Sequence, residues 1–294
     1  MNSPGRTEGV AKVQNQVVPT KPFRTYLNRA GGGNREGILF LHGSGPGASG
    51  WSNWRLALPV LGGTFDCLAP DFIGFAASEH PDDPPTDTVS WLGVWVEQII
   101  SLLDVLKIES INLVGNSLGG NIALHLASRY PGRFKRIALM GSSGVPFKIT
   151  PRLNAVRGFY SAPSAEKMSE IVSGFFYDPK TFSGDIATIA KMRFEAAMDP
   201  KTIRSYQAIF SSPHQQQLDA RLVPDEALAR IKHPCLLIHG RDDTIVPLDT
   251  SLYLLQRLHE VQLHVYGRSG HWTQIEYADG FHDLLRQFFM KDAR

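Results

Sequence analysis

An α/β fold with a mostly parallel central sheet, flanked by helices and carrying an inserted helical cap, is what the sequence predicts, on three observations. Short apolar runs alternate with longer stretches of helical periodicity, the pattern of repeated strand–helix units. Glycine-bearing turns follow several of those runs directly. The rhythm then stops between residues 142 and 223 before resuming.

Residues 37–42 (GILFLH) read as a buried strand ending in a glycine-rich turn, Gly43 to Gly50, and residues 65–70 (FDCLAP) as the next strand. Trp91, Val94, Trp95, Ile99, Leu102 and Leu106 recur at helical spacing, so a helix is expected over Val89 to Leu106. Residues 111–115 (INLVG) give a strand, Leu118 to Tyr130 a helix stopped by Pro131, and residues 136–141 (RIALMG) another strand. Two strands, 235–239 (CLLIH) and 261–266 (VQLHVY), and a helix near Phe281–Met290 close the chain. The interruption holds Phe147, Phe159, Tyr160, Phe175, Phe176, Tyr177 and Phe182 among helix-like segments. It is too long for a plain loop, so it is expected to be a helical cap over the sheet. The expected division is therefore a core over 1–141 and 224–294 with a cap over 142–223.

Composition narrows the function. A chain of 294 residues buries about three-quarters of its unfolded surface. Its 30 basic and 28 acidic residues leave a net charge of +2 with no long like-charge block. Neither nucleic acid nor a membrane is expected as a partner. The first 16 residues are polar and lack the apolar centre of a signal peptide. No apolar run is expected to approach the roughly 18 residues needed to span a bilayer, so a cytoplasmic protein is the expectation. Cys67 and Cys235 each lie in a short apolar run, without metal-like spacing, and are expected as buried thiols.

The chemistry begins at Gly115-Asn116-Ser117-Leu118-Gly119, which fits G-x-S-x-G directly after a strand and before a helix. A serine on so sharp a turn needs small neighbours two residues either way, and the turn lifts its hydroxyl above the strand ends. This is the nucleophile elbow of α/β-hydrolases. Serine is a weak nucleophile without a base. In that fold the acid and then the histidine follow the serine in the chain. Gly240-Arg241-Asp242-Asp243 follows one late strand and Gly267-Arg268-Ser269-Gly270-His271 the other. Both loops lie at the strand edge where open α/β sheets place their sites. His271 is therefore the expected base and Asp243 its partner, preferred to Asp242 because a G-x-x-D spacing presents the later acid. Among the other histidines, His239 and His264 are expected to pack within strands, and His80, His214 and His233 to be loop residues without partners. Asp71 precedes Ser117 and is expected to stabilise a turn. The loop His42-Gly43-Ser44-Gly45-Pro46-Gly47 lets backbone amides face inward, so Ser44 and Leu118 are the expected oxyanion donors. It matches neither phosphate-binding glycine motif, and His42 is expected to be a structural hydrogen-bonder.

The stretches LHGSGPGASGWSNW, VGNSLGG and VQLHVYGRSGHWTQIE resemble the meta-cleavage product hydrolases, carbon–carbon bond hydrolases of bacterial aromatic-ring and steroid-ring degradation. The likeness runs from about Gly37 to Phe289 and is weakest in the cap. It implies Asn116, Asn53 and Trp272 as pocket residues, with Gly43 beside them. It also implies a cap arginine for the dienoate end of the substrate, matched here by Arg193, and Phe175 or Phe176 as a pocket wall. The resemblance implies cleavage of a 2-hydroxy-6-oxo-hexa-2,4-dienoate, a small-molecule dienoate as partner, and no cofactor or metal, because the substrate supplies its own electron sink. It leaves a homo-oligomer open. A carboxylesterase or thioesterase would use the same triad, and a non-catalytic receptor would keep only the pocket.

Overall fold

The computed structural model describes residues 10–290 apart from 181 and 183; residues 1–9 of the polar opening stretch lie outside the described residues. The strands are β1 (Val13–Val18), β2 (Thr25–Ala30), β3 (Gly37–Leu41), β4 (Asp66–Pro70), β5 (Ile111–Asn116), β6 (Phe134–Met140), β7 (Pro234–Gly240) and β8 (Glu260–Tyr266). They form one sheet in the order β1-β2-β4-β3-β5-β6-β7-β8. From β4 through β8 the pairs are parallel, whereas β1–β2 and β2–β4 are antiparallel. All the strands expected from apolar runs are present. The first hairpin was not legible, because VQNQVV and TYLNRA are polar-rich and β1 lies largely exposed at the sheet edge.

The central strands read as unbroken apolar runs because both faces are covered. Leu39 and Leu41 of β3 join one core cluster while Ile38 and Phe40 join the other, and Cys235 and Leu237 alternate with Leu236 and Ile238 in β7. Helices α1 (Gly50–Trp54), α2 (Ala57–Leu61), α3 (Thr88–Val105) and α4 (Leu118–Arg129) come between the early strands. Asp87 caps α3 by accepting from the amides of Val89 and Ser90. At 18 residues and a mean hydropathy of 1.2, α3 is long and apolar enough to cross a bilayer, contrary to the expectation above. Trp91, Trp95, Ile99 and Leu102 are nevertheless fully covered by the molecule, as in a core helix.

Between β6 and β7 come α5 (Pro151–Arg157), α6 (Ala165–Ser173), α7 (Ile186–Ala197), α8 (Pro200–Ile209) and α9 (His214–Asp219), with no strand among the described residues. Their apolar faces form a third cluster, which also takes in Ile245, Val246, Trp272 and Ile275 from the later loops. The chain continues through α10 (Asp225–Leu228), α11 (Asp249–Leu255), α12 (Thr273–Glu276) and α13 (Ala278–Phe289). Trp54 of α1 stacks on Phe281 of α13, centroids 6.2 Å apart, and closes the second face.

Two helical glycines separate propensity from space. A Cβ on Gly93 in α3 would meet nothing within 4 Å, whereas one on Gly119 in α4 would overlap the Leu41 carbonyl oxygen. Gly93→Ala is expected to raise the unfolding free energy by about 0.5–1 kcal/mol, and Gly119→Ala to lower it by about 1–3 kcal/mol or more. Urea midpoints check both; a stable Gly119→Ala protein would contradict the packing described.

Candidate active site

Ser117 joins β5 to α4 with φ 54° and ψ −112°. A side-chain-bearing residue there costs about 1–3 kcal/mol and persists only when its surroundings impose it. They do so here. The Ser117 amide donates to Met140 O at 3.0 Å, and its carbonyl accepts from Ser143 N and Ser143 Oγ, each at 3.2 Å. Gly115 and Gly119 are in such close contact that a Cβ on Gly115 would come 2.6 Å from Gly119 O. The hydroxyl is thereby placed at the start of α4, above the ends of the parallel strands.

The loops after β7 and β8 meet over the same edge. His271 Nδ1 lies 2.7 Å from Asp243 Oδ2, while Oδ1 accepts from the amides of Ile245 at 2.8 Å and Val246 at 3.0 Å. Burial by itself would raise the Asp243 pKa, but His271 and His239 hold the carboxyl well below its ordinary value. With an ionised acceptor at Nδ1, the proton sits on that nitrogen and Nε2 is free to accept another. Asp242 instead accepts from Arg268 N at 2.9 Å and Arg241 Nη2 at 3.2 Å near the surface. Ser117 and His271 border one corner: Ser117 bonds Met140 O, and a Cβ on Gly141 would lie 3.2 Å from His271 Cε1. No hydrogen bond joins the Ser117 hydroxyl to His271 in the structure; such contacts commonly tighten when substrate fills the site.

Neither the Ser44 amide nor the Leu118 amide donates to a protein acceptor among the described residues, as required of groups left for a ligand. The Gly43 amide, by contrast, is used by Asn53 Oδ1 at 3.1 Å. Asn53 Nδ2 and Asn116 Oδ1 are buried without partners, and Asn116 Oδ1 would lie 2.7 Å from a Cβ on Gly43. Glycine at 43 therefore keeps both amides against the elbow. Arg193 of α7 is 6% exposed, and its Nε donates to Pro46 O at 2.9 Å. Its guanidinium lies 5.8 Å from the Trp272 ring and has no carboxylate partner among the described residues. Burial lowers its pKa to about 10, which still leaves it protonated at neutral pH. Phe175 rather than Phe176 stacks on Trp272, at 4.5 Å, and approaches the His271 ring at 5.9 Å.

Several expectations need correction. His239 does more than pack: it reaches Asp243 Oδ2 at 3.4 Å, with its Nδ1 held by Ser251 Oγ at 2.7 Å. His80, His214 and His233 have partners, in Ser205 Oγ at 2.8 Å, Asn154 Oδ1 at 2.9 Å and Pro131 O at 2.9 Å. Their sequence neighbours gave no sign of these three partners, which lie 60 to 125 residues away in the chain, although His80 Nε2 also reaches the nearby Ala76 O at 3.1 Å. Glu276 went unnoticed within HWTQIE. Its carboxylate accepts from Gly270 N at 2.6 Å and Tyr177 N at 2.8 Å, tying the His271 loop to the segment after α6. Phe175 O completes the seam by accepting from His271 N at 2.8 Å and Trp272 N at 3.2 Å. His42 and Asp71 hold the loops as expected. His42 Nε2 accepts from Phe72 N at 3.0 Å, and Asp71 accepts from Gly50 N at 2.7 Å and Ala77 N at 3.1 Å.

A family model described as the alpha/beta hydrolase fold matches residues 37–278. Over 98% of its length the chain is 42% identical to the 2-hydroxymuconate semialdehyde hydrolase of Pseudomonas sp. (strain CF600), covering 96% of that protein. It superposes on the crystal structure of the meta-cleavage product hydrolase from Pseudomonas fluorescens IP01 with a TM-score of 0.86, at 37% identity, covering 94% of this chain and 97% of that one. The chain belongs to the meta-cleavage product hydrolases. This hydrolase is also similar to the 2-hydroxy-6-oxo-6-phenylhexa-2,4-dienoate hydrolase from Rhodococcus sp. strain RHA1, with a TM-score of 0.92, 39% identity, and coverage of 96% and 100% of the two chains.

The geometry separates the adjacent aspartates in this hydrolase. Asp243→Asn is expected to lower kcat by about 10⁴ by upsetting the His271 tautomer, and Asp242→Asn by less than about threefold, as for a surface change. Steady-state rates of the two variants check this, and the reverse order would place the wrong acid on His271.

Proposed function

We propose that this hydrolase cleaves the C5–C6 bond of a 2-hydroxy-6-oxo-hexa-2,4-dienoate, giving 2-hydroxypenta-2,4-dienoate and a carboxylic acid. Ser117, His271 and Asp243 are its triad, and the Ser44 and Leu118 amides its oxyanion donors. The relatives named above are named for substrates of this class. The observation favouring a dienoate over a simple ester is the buried Arg193 guanidinium, which has no carboxylate partner among the described residues. An ester hydrolase gains nothing from an uncompensated buried cation, whereas an anionic substrate supplies the missing charge.

Carbon–carbon cleavage requires that the electrons of the breaking bond have somewhere to go. The dienol first takes a proton at C5 and becomes the 2-oxo tautomer. Arg193, with Asn53, Asn116 and Trp272 around it, holds the carboxylate and the 2-oxo group. Ser117 Oγ, or a water activated in its place, then adds to the C6 carbonyl while His271 Nε2 takes the proton. The Ser44 and Leu118 amides bind the resulting oxyanion. Its collapse breaks C5–C6 and returns the bonding pair to the 2-oxo dienoate system beside Arg193. Water supplies the hydroxyl of the acid product. Asp243 keeps His271 in the required tautomer throughout. Residues 142–223 act as the cap that sets the room for the C6 substituent, with Phe175 as a wall, over a core formed by 1–141 and 224–294.

Ser117→Ala is expected to lose about 10⁴-fold or more in turnover while keeping its fold and its binding of the dienoate. The dienolate's visible absorbance follows the reaction, and near-native decay in the variant would remove Ser117 from the chemistry.

Arg193→Gln is expected to lose about 10- to 150-fold in kcat/KM on a dienoate, the worth of one charge-assisted hydrogen bond. On a p-nitrophenyl ester the loss should be slight, and Arg193→Lys should restore dienoate cleavage only in part, since lysine lacks the planar fork. Equal losses on both substrates would make Arg193 a structural residue and favour an esterase.

A further inference from the structure

A half-open cavity of about 130 Å³ lies between α1 and α7, lined by Trp51, Arg55, Met192, Arg193 and Trp272 among others. Ser117, Asn116 and His271 are not among its walls. Arg193 borders this cavity and also packs on the glycine-rich loop after β3, where its Nε donates to Pro46 O and a Cβ on Gly45 would lie 2.8 Å from its Nη2. Arg55 is the second cation there. Its Nη1 donates to Ser52 O at 2.9 Å, and no carboxylate among the described residues pairs with it. Burial lowers the Arg55 pKa, and the charge of Arg55 adds to burial in lowering that of Arg193. Two arginines thus line one cavity without a paired carboxylate among the described residues, an arrangement that favours a bound anion. The rest of the lining suits a conjugated carboxylate: Trp272 offers a ring, and Trp51 and Met192 reach solvent at 38% and 56% exposure. The volume is close to the roughly 150 Å³ known to accept a benzene molecule, enough for a carboxylate with a short conjugated tail.

We propose that this cavity is an anion-binding vestibule for the carboxylate end of the dienoate, with Arg55 as its outer contact and Arg193 as the inner one. The proposal rests on the carbon–carbon hydrolase assignment above. In it, Arg55 captures the carboxylate from solvent and Arg193 receives it, and the dienoate product leaves by the same pair in reverse.

The test measures kcat/KM on 2-hydroxy-6-oxohepta-2,4-dienoate for wild type, Arg55→Met, Arg55→Glu and Arg55→Lys at about 0.02 M and about 0.5 M salt, where screening is weak and strong. At low salt Arg55→Met is expected to lose about tenfold, mainly through KM, and Arg55→Glu about 100-fold, while Arg55→Lys stays within about threefold. The losses should shrink at high salt. Sorbate should inhibit wild type with a salt-dependent constant that weakens in Arg55→Met, and the uncharged 2,4-hexadien-1-ol should not distinguish the two proteins. Full kcat/KM and sorbate inhibition in both Arg55→Met and Arg55→Glu would overturn the vestibule. So would losses that are equal at both salts and shared by the alcohol, which mark a structural arginine. Should the two larger changes unfold the protein, the decision falls to Arg55→Lys and to the wild-type salt dependence, and a salt-independent wild type overturns the proposal. A wild type that binds sorbate, read by tryptophan fluorescence quenching kept in Arg55→Lys and lost in Arg55→Met, but cleaves no dienoate would refute the assigned reaction while supporting the vestibule.

Discussion

The backbone at Ser117 is the constraint on which the site depends. A serine at φ 54° is held between Met140 O, Ser143 and the start of α4, and every neighbour of that turn is shaped by it. Gly115 and Gly119 are small because β5, α4 and the end of β3 converge there without room for a Cβ. Gly43 is small for a related reason, since the Asn116 amide fills the space its side chain would take. One strained residue thus dictates small neighbours both beside it in the chain, at Gly115 and Gly119, and far from it, at Gly43, and the strain is sustained by their packing.

A second dependence couples the residues around α6 to the histidine loop. Phe175 O receives two amides from the His271 loop, and the Glu276 carboxylate bridges Gly270 and Tyr177. Glu276 has no cation to pair with in this seam; burial raises its pKa even as the backbone amides favour its charged form. The position of His271 is consequently tied to the same segment that supplies Phe175 to the site. A change of that segment that moves Phe175 therefore also moves the imidazole.

The charges of the site fall into two kinds. Asp243 is buried but compensated, by two backbone amides and two histidines, so its charge is part of the folded protein. Arg193 and Arg55 are burdened by burial without compensation from any described carboxylate. A fully satisfied buried charge organises structure, whereas an unsatisfied one points to something that arrives from outside.

The sheet strands from β3 to β8, helices α3 and α4, and Ser117, Asp243 and His271 as candidates for the reacting groups were legible because each rests on local pattern. An apolar run covered on both faces, a helical repeat and a glycine-flanked serine are written in consecutive residues. The polar edge hairpin of β1 and β2 was not, since edge strands need no apolar run. The pairing of His80 with Ser205 and of Glu276 with Tyr177 was not either, because these partners meet only after the chain has folded back on itself. Whether Phe175 or Phe176 faces His271 depended on how one segment docks, and no spacing encodes that. Local chemistry singles out the candidates for the reacting groups. Their orientation, and the cavity behind Arg193, come from contacts between segments that the sequence leaves far apart.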